Sequence, residues 1–342
     1  MSRLGAVLFF LTACSAPLTE PPRDLEPVDR CPAPGEGIDI GGLPGTGADT
    51  KRLPLRRLVL MGGGREEVEA TRLFVGAAVS GDVVVLRTSG SLTSYIEYFT
   101  AGLTASSTPA TLVTIRTNDP FSGDDPAVLC RLGRAEAVWI AGGNQWNYLG
   151  RWPPALHTAL AEVAERGAAM GGISAGAVSL GEGAFDAQHG TVTSVEALAD
   201  PMHRKVSVSR SAFAQPELSG VLVDSHFQDR QREGRLLVFL ARFLADRAEG
   251  PVVGLGLDEG VAVTIEADAY QVTSAQSGSA WLYEVTGPAL LRPGEPLTLN
   301  GIRRVKLDAG STGSWPFDWA AAAGRVRPMY VLRGSVRVGT SP

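Results

Sequence analysis

Short apolar runs alternate with amphipathic stretches from residue 57 to residue 257. Arg57-Leu58-Val59-Leu60-Met61 is apolar and ends in Gly62-Gly63-Gly64. Residues 66–79 then repeat at the helical period, with Val68, Leu73, Phe74 and Ala77 on one face. Residues 82–87 hold three consecutive valines, the pattern of a strand buried on both faces. A helix is expected over 94–100, a strand over 111–115, a helix over 126–132 and a strand over 135–141. Residues 154–166 form an amphipathic helical pattern, and 168–173 a strand of small apolar residues. Two more apolar runs, 220–224 and 252–257, close the series. Strands separated by helices predict an α/β fold with a doubly wound, mostly parallel sheet. Sites in such sheets lie at the carboxyl ends of the strands. The turns Gly62–Gly64, Gly142-Gly143 and Gly172–Gly176 are therefore expected to converge on one edge.

Outside this series the pattern differs. Residues 181–210 are polar and read as loop, and from Val261 short alternating runs replace the longer blocks. Strands are expected over 261–265, 270–273, 280–284, 305–307 and 329–336, giving a β-rich extension packed on the same domain. Ser311 to Pro316 reads as loop, and Trp281 and Trp315 as packing residues. At the other end, residues 4–13 form an apolar segment of signal-peptide length after Arg3, followed by Cys14. Residues 15–50 are rich in Pro and Gly and read as a linker. The chain thus divides into a signal segment (1–13), a linker (14–51), an α/β catalytic domain (52–260) and the extension (261–342).

Composition narrows the classes. With 342 residues, 44% hydrophobic and 20% charged, the chain has ample material for a core. Its net charge of −5 argues against a nucleic-acid partner. No zinc spacing is present, and no metal or cofactor is expected. The first glycine turn lacks the third glycine of a dinucleotide fingerprint, and Glu66 and Glu67 would repel a pyrophosphate. Three cysteines are too few for a disulfide scaffold; Cys31 and Cys130 are as consistent with a pair as with two unrelated thiols.

The chemistry centres on Gly172-Ile173-Ser174-Ala175-Gly176, a G-x-S-x-G pattern between a strand and a helix. A serine on so sharp a turn is held clear of the sheet, and the Ala175 N–H at the helix start points where an oxyanion forms. Of four histidines, His226 follows a strand ending in Asp224, so it reaches the same edge and is the best-placed base. Asp258 and Glu259 follow the next strand and bring an acid there. Either Asp224 or Glu259 suits the acid's role. Arg230 is four residues from His226, and with Arg232 and Arg235 it suggests an anionic substrate.

Gly62–Gly64, Gly142-Gly143-Asn144-Gln145, Gly171 to Ala177, Asp224-Ser225-His226-Phe227 with the three arginines, and Gly254 to Glu259 occur in that order. The set resembles the cyanophycinase branch of peptidase family S51. The resemblance implies a fold related to class I glutamine amidotransferases, with Ser174 as nucleophile, His226 as base and Glu259 as orienting acid. It implies that Gly143 or Asn144 joins Ala175 in the oxyanion hole. It implies a substrate pocket lined by Gln145, Asp224, Arg230, Arg232 and Arg235. Ser225 replaces a usual glutamine, and the segment between Ser174 and Asp224 is longer than usual. The expected substrate is an acidic peptide or isopeptide, such as one with a β-Asp-Arg bond, and no cofactor is implied. Leu11-Thr12-Ala13-Cys14 resembles a bacterial lipoprotein signal. It implies a lipid on Cys14 and a place on the membrane of the cell envelope, periplasmic or extracellular. Two rivals stand beside this reading. An α/β-hydrolase esterase shares the elbow, but its histidine comes last in the chain and here none follows Glu259. A non-catalytic lipoprotein would capture acidic peptides through the arginines. Oligomeric state, monomer or homodimer, is left open by the sequence.

Overall fold

A computed structural model describes residues 31–43, 54–100, 109–247 and 250–341. The signal segment, Cys14 and part of the expected linker lie outside the described residues. The first half alternates strand and helix: β1 (Ile38–Leu43), β2 (Arg57–Met61), α1 (Val68–Ala77), β3 (Asp82–Arg87), α2 (Ser94–Thr100) and β4 (Thr111–Thr117). It continues with α3 (Pro126–Arg134), β5 (Ala137–Ile140), α4 (Pro154–Glu165), β6 (Ala169–Ile173) and the five-residue α5 (Ala175–Ser179). The parallel order β4-β3-β5-β6-β2 forms the centre of the first sheet. Alternate residues of β2 enter different cores, Leu58 and Leu60 on one face and Val59 and Met61 on the other. Both faces are therefore buried, as the unbroken apolar runs require, and the doubly wound α/β class is observed.

Then come β7 (Gly183–Phe185), α6 (Ser194–Ala199), β8 (Val208–Arg210), β9 (Val221–Asp224), α7 (Glu233–Asp246) and β10 (Val252–Leu257). These strands belong to a second sheet, in which β9 runs parallel to β7 and β10. Leu255 and Leu257 of β10 share a core with Leu58 and Leu60, while Leu222 of β9 packs with α7. The stretch expected to be loop, 181–210, thus carries three short elements. They are too brief for periodicity to reveal.

The C-terminal strands are β11 (Val261–Glu266), β12 (Ala269–Ser274), β13 (Ser279–Val285), β14 (Ala289–Leu290), β15 (Thr298–Asp308), β16 (Thr312–Ser314), β17 (Arg327–Leu332) and β18 (Ser335–Val338). They do more than pack on the sheet. Antiparallel pairing carries β11 onto β2 in the first sheet and β13 onto β10 in the second. The turn between β10 and β11, residues 258–260, crosses from one sheet to the other. Trp315 is buried as expected and its Nε1 donates to the Glu217 carbonyl at 2.7 Å.

Two expectations are corrected. Val68 is exposed, because α1 begins there and Glu67 caps it by accepting the Ala70 N–H at 2.7 Å. Residues 31–43 are not linker. Strand β1 pairs with β4 over six residues, and Asp39 accepts from Asn118 Nδ2 at 2.7 Å. Cys31 and Cys130 are joined in a disulfide with 5.7 Å between their Cα atoms, tying this segment to α3. The bridge closes a span of 99 residues, and a loop that long limits the unfolded chain strongly. Replacing both cysteines with alanine should cost about 2–4 kcal/mol. Urea denaturation with and without reductant would measure it.

Candidate active site

The three glycine turns follow parallel strands of one sheet, so they meet at its carboxyl edge. Ser174 sits between β6 and α5 with φ +53° and ψ −118°, a conformation that L residues avoid. Backbone contacts enforce it. The elbow lies so close to β5 that a Cβ on Gly176 would be 2.0 Å from the Ile140 carbonyl oxygen. The Ser174 N–H donates to the Met61 carbonyl at 2.9 Å, which fixes the elbow to the end of β2. Strand, strained serine and short helix together make the nucleophile elbow.

His226 follows β9 in the second sheet. Its backbone N–H donates to the Gly62 carbonyl at 2.8 Å, and its ring lies against Gly63, where a Cβ would come within 2.4 Å of Cε1. Gly63 has φ +105°, so the turn tolerates no side chain for two independent reasons. The imidazole bridges two groups. Nε2 is 2.8 Å from Ser174 Oγ, and Nδ1 is 2.5 Å from Glu259 Oε1. Glu259 lies on the turn that crosses between the sheets. The three residues thus come from the first sheet, the second sheet and their connection. A bond from Nδ1–H to the carboxylate leaves Nε2 free to accept the serine proton.

Burial lowers the His226 pKa, the Glu259 hydrogen bond raises it, and the Arg230 and Arg232 cations lower it; the net shift is downward from 6.5. The ring is neutral at pH 7, as a base must be. Any reaction using it should have the midpoint of its acid limb below pH 6.5. A pH profile of kcat/KM with an acid limb above 6.5 would contradict this.

The other expected residues divide. Asp224 does not reach His226. Its carboxylate is bidentate with Arg235, 2.8 Å from Nε and 2.5 Å from Nη2, and both side chains are 2% exposed. Arg235 also lies over the rings of Phe185 and Phe239, 5.1 and 5.5 Å from their centroids. The pair is spent inside the protein, which corrects the expectation that Asp224 and Arg235 line a substrate pocket. Among the described residues, Glu259 is then the acid bonded to the imidazole. Arg232 is half-buried and donates to the Ser225 carbonyl at 2.7 Å; burial brings its pKa down to about 10. Arg230 is exposed, on a turn rather than a helix, since α7 begins only at Glu233. Gln145 Nε2 donates to the Phe185 carbonyl at 2.7 Å, so it braces the site edge from β5 to β7.

Ala175 opens α5, and its N–H is one of the donors a helix start leaves free. Gly142 is beside Ser174: a Cβ there would be 3.5 Å from the serine Cβ. Tyr148, a residue the sequence did not single out, is fully buried and its hydroxyl donates to the Gly142 carbonyl at 3.2 Å. In a trans peptide the N–H points opposite the C=O, so this bond fixes the direction of the Gly143 N–H. Gly143 and Asn144 are both exposed at this turn. His157 is no rival base; its Nε2 is 2.8 Å from the Tyr148 carbonyl, within the packing of α4. Among the described residues no cluster of His, Cys, Asp and Glu is arranged to hold a metal.

The chain is similar to two curated cyanophycinases, from Synechococcus elongatus and from Thermosynechococcus vestitus. Each is 32% identical over 152 residues, 44% of this chain. The match spans 42% of the length of those relatives. No family model matches the chain. Among solved structures, a peptidase from an acI-B1 Actinobacterium superposes with a TM-score of 0.51 at 14% identity. That match covers 77% of this chain and 98% of the other, and it shows a shared fold. The resemblance to cyanophycinases read from the sequence is thus borne out.

Proposed function

We propose that this chain is a serine peptidase that hydrolyses a peptide or isopeptide bond beside an aspartyl residue. The hydrogen-bonded series Ser174, His226 and Glu259, with the serine on a strained elbow, carries the reading. The similarity to two cyanophycinases supports it. His226 Nε2 takes the Ser174 proton as Oγ attacks the scissile carbonyl carbon. The Ala175 N–H and the N–H of Gly143 or Asn144 stabilise the oxyanion. The imidazolium, held by Glu259, protonates the leaving amine, and an ester on Ser174 remains. Water, deprotonated by His226, attacks the ester and frees the serine.

Arg230 is the exposed cation beside His226 and Arg232 the half-buried one. They favour a substrate with a carboxylate near the scissile bond, as β-Asp-Arg units have. The disulfide supports an oxidising compartment. We place the protein in the bacterial envelope, with a lipid on Cys14.

The test is incubation of the purified protein and its Ser174→Ala variant with cyanophycin and with β-aspartyl and α-aspartyl dipeptides, products being read by mass spectrometry. Serine-dependent release of β-Asp-Arg supports cyanophycin as substrate. Serine-dependent cleavage of other aspartyl peptides alone reassigns the substrate. Tight binding of acidic peptides with no cleavage and no covalent labelling of Ser174 overturns the enzymatic reading.

A further inference from the structure

We infer that Asp229 and Asp258 are positioning residues that clasp the His226 turn and the Glu259 turn to one another. The inference rests on the catalytic reading of His226 and Glu259. Those residues lie 33 positions apart, on turns that follow two neighbouring strands, β9 and β10. Each turn delivers a carboxylate to the other's backbone. Asp229, three residues beyond His226, accepts the N–H of Glu259 itself at 2.9 Å. Asp258, one residue before Glu259, accepts the N–H of Gln228 at 3.1 Å. The exchange is reciprocal, so neither turn can shift along its strand without breaking a bond to the other.

Asp258 is anchored from a third side. Its second oxygen accepts the Ser279 N–H at 2.9 Å and Trp281 Nε1–H at 3.3 Å, both from β13. The Trp281 ring is in turn covered by Arg304, 5.3 Å from its centroid. The clasp therefore connects the site to the antiparallel part of the second sheet. This buried carboxylate has a donor on each oxygen, as a buried charge requires. Asp229 is exposed and has no such need, yet it is aimed at one N–H.

The physical demand is clear from Glu259. Its side chain is 34% exposed and has several rotatable bonds. An exposed ion pair contributes little unless its geometry is fixed beforehand. Fixing the backbone of Glu259 at its own N–H removes one of the motions by which the carboxylate could leave Nδ1.

The experiment uses the purified full chain with Asp229→Ala and Asp229→Asn. The charged groups facing His226 are Glu259, which raises its pKa, and Arg230 and Arg232, which lower it. All three are kept in both variants. Loosening Glu259 removes the raising contribution, so the expected result for Asp229→Ala is a His226 titration displaced to lower pH. That titration is read by NMR at the imidazole and needs no substrate. On an aspartyl peptide cleaved in a Ser174-dependent way, kcat should fall about tenfold with KM within twofold, as misplacement predicts. Asp229→Asn keeps an acceptor oxygen and should restore both readings to within a factor of three. An unchanged titration in Asp229→Ala overturns the clasp. So does an Asp229→Asn variant as impaired as Asp229→Ala, which would assign the effect to charge. If no peptide is cleaved but the titration moves as expected, the catalytic reading fails and the clasp stands.

Discussion

Replacing Ser174 with alanine should lower turnover roughly ten-thousandfold or more while leaving the fold in place. Its Oγ lies 2.8 Å from His226 Nε2, and alanine leaves no oxygen there. His226→Ala should cost about as much, and the double variant no more than either alone, because the two act on one proton. Glu259→Gln should also cost on the order of ten-thousandfold, since it favours the wrong tautomer of the imidazole. Circular dichroism and a thermal melt would show whether folding is intact. Activity within tenfold of wild type in Ser174→Ala would remove the nucleophile assignment. A further comparison isolates the strain. Ser174→Gly lacks the same oxygen but is at ease at φ +53°, so it should melt above Ser174→Ala by an amount worth about 1 kcal/mol.

The second large effect concerns stability. Asp224→Ala strips the partner from an arginine buried at 2% exposure, and breaking such a pair costs about 3–5 kcal/mol. Arg235 cannot swing to water, because Phe185 and Phe239 enclose it and Nη1 already bonds the Val192 carbonyl at 3.3 Å. The expected result is a much lower denaturation midpoint, with activity lost in proportion to the unfolded fraction. Arg230→Ala should do the opposite: an unchanged midpoint and a raised KM for acidic substrates. If Asp224→Ala folded normally and lost only affinity, Asp224 would belong to the pocket after all.

These contrasts mark where the sequence was legible. The elbow was visible because its glycines are forced in part by backbone contacts within a few residues, as at Gly172, where a Cβ would come within 2.6 Å of the Gly176 carbonyl carbon. His226 was visible because a strand must deliver it to the edge. The choice between Asp224 and Glu259 was not, since both arrive at strand ends. It turns on Arg235, eleven residues beyond Asp224, whose side chain takes that carboxylate into the core. Strand β1 was hidden for a similar reason. Its Ile38-Asp39-Ile40 alternation is short, and its pairing partner, β4, begins at Thr111. Strand β15 was seen only at 305–307, although it runs over eleven residues. Its half-exposed arginines, Arg303 and Arg304, interrupt the apolar pattern while pairing with Glu284 of β13 and with Glu233 of α7. Asp229 and Asp258 act through backbone groups 30 residues away, and Tyr148 through the carbonyl of Gly142; no spacing in the chain announces such contacts.

The bridge between Cys31 and Cys130 also governs how the protein responds to being cut. A single nick anywhere between those residues yields two fragments that migrate together on a gel run without reductant and separate when thiol is added. If the proposed lipid on Cys14 is present, the same wiring separates two kinds of cut. A cut between residues 14 and 31 would detach the folded part from the anchor. A cut between residues 31 and 130 would leave the two pieces covalently joined through the disulfide, so thiol becomes a precondition for their release.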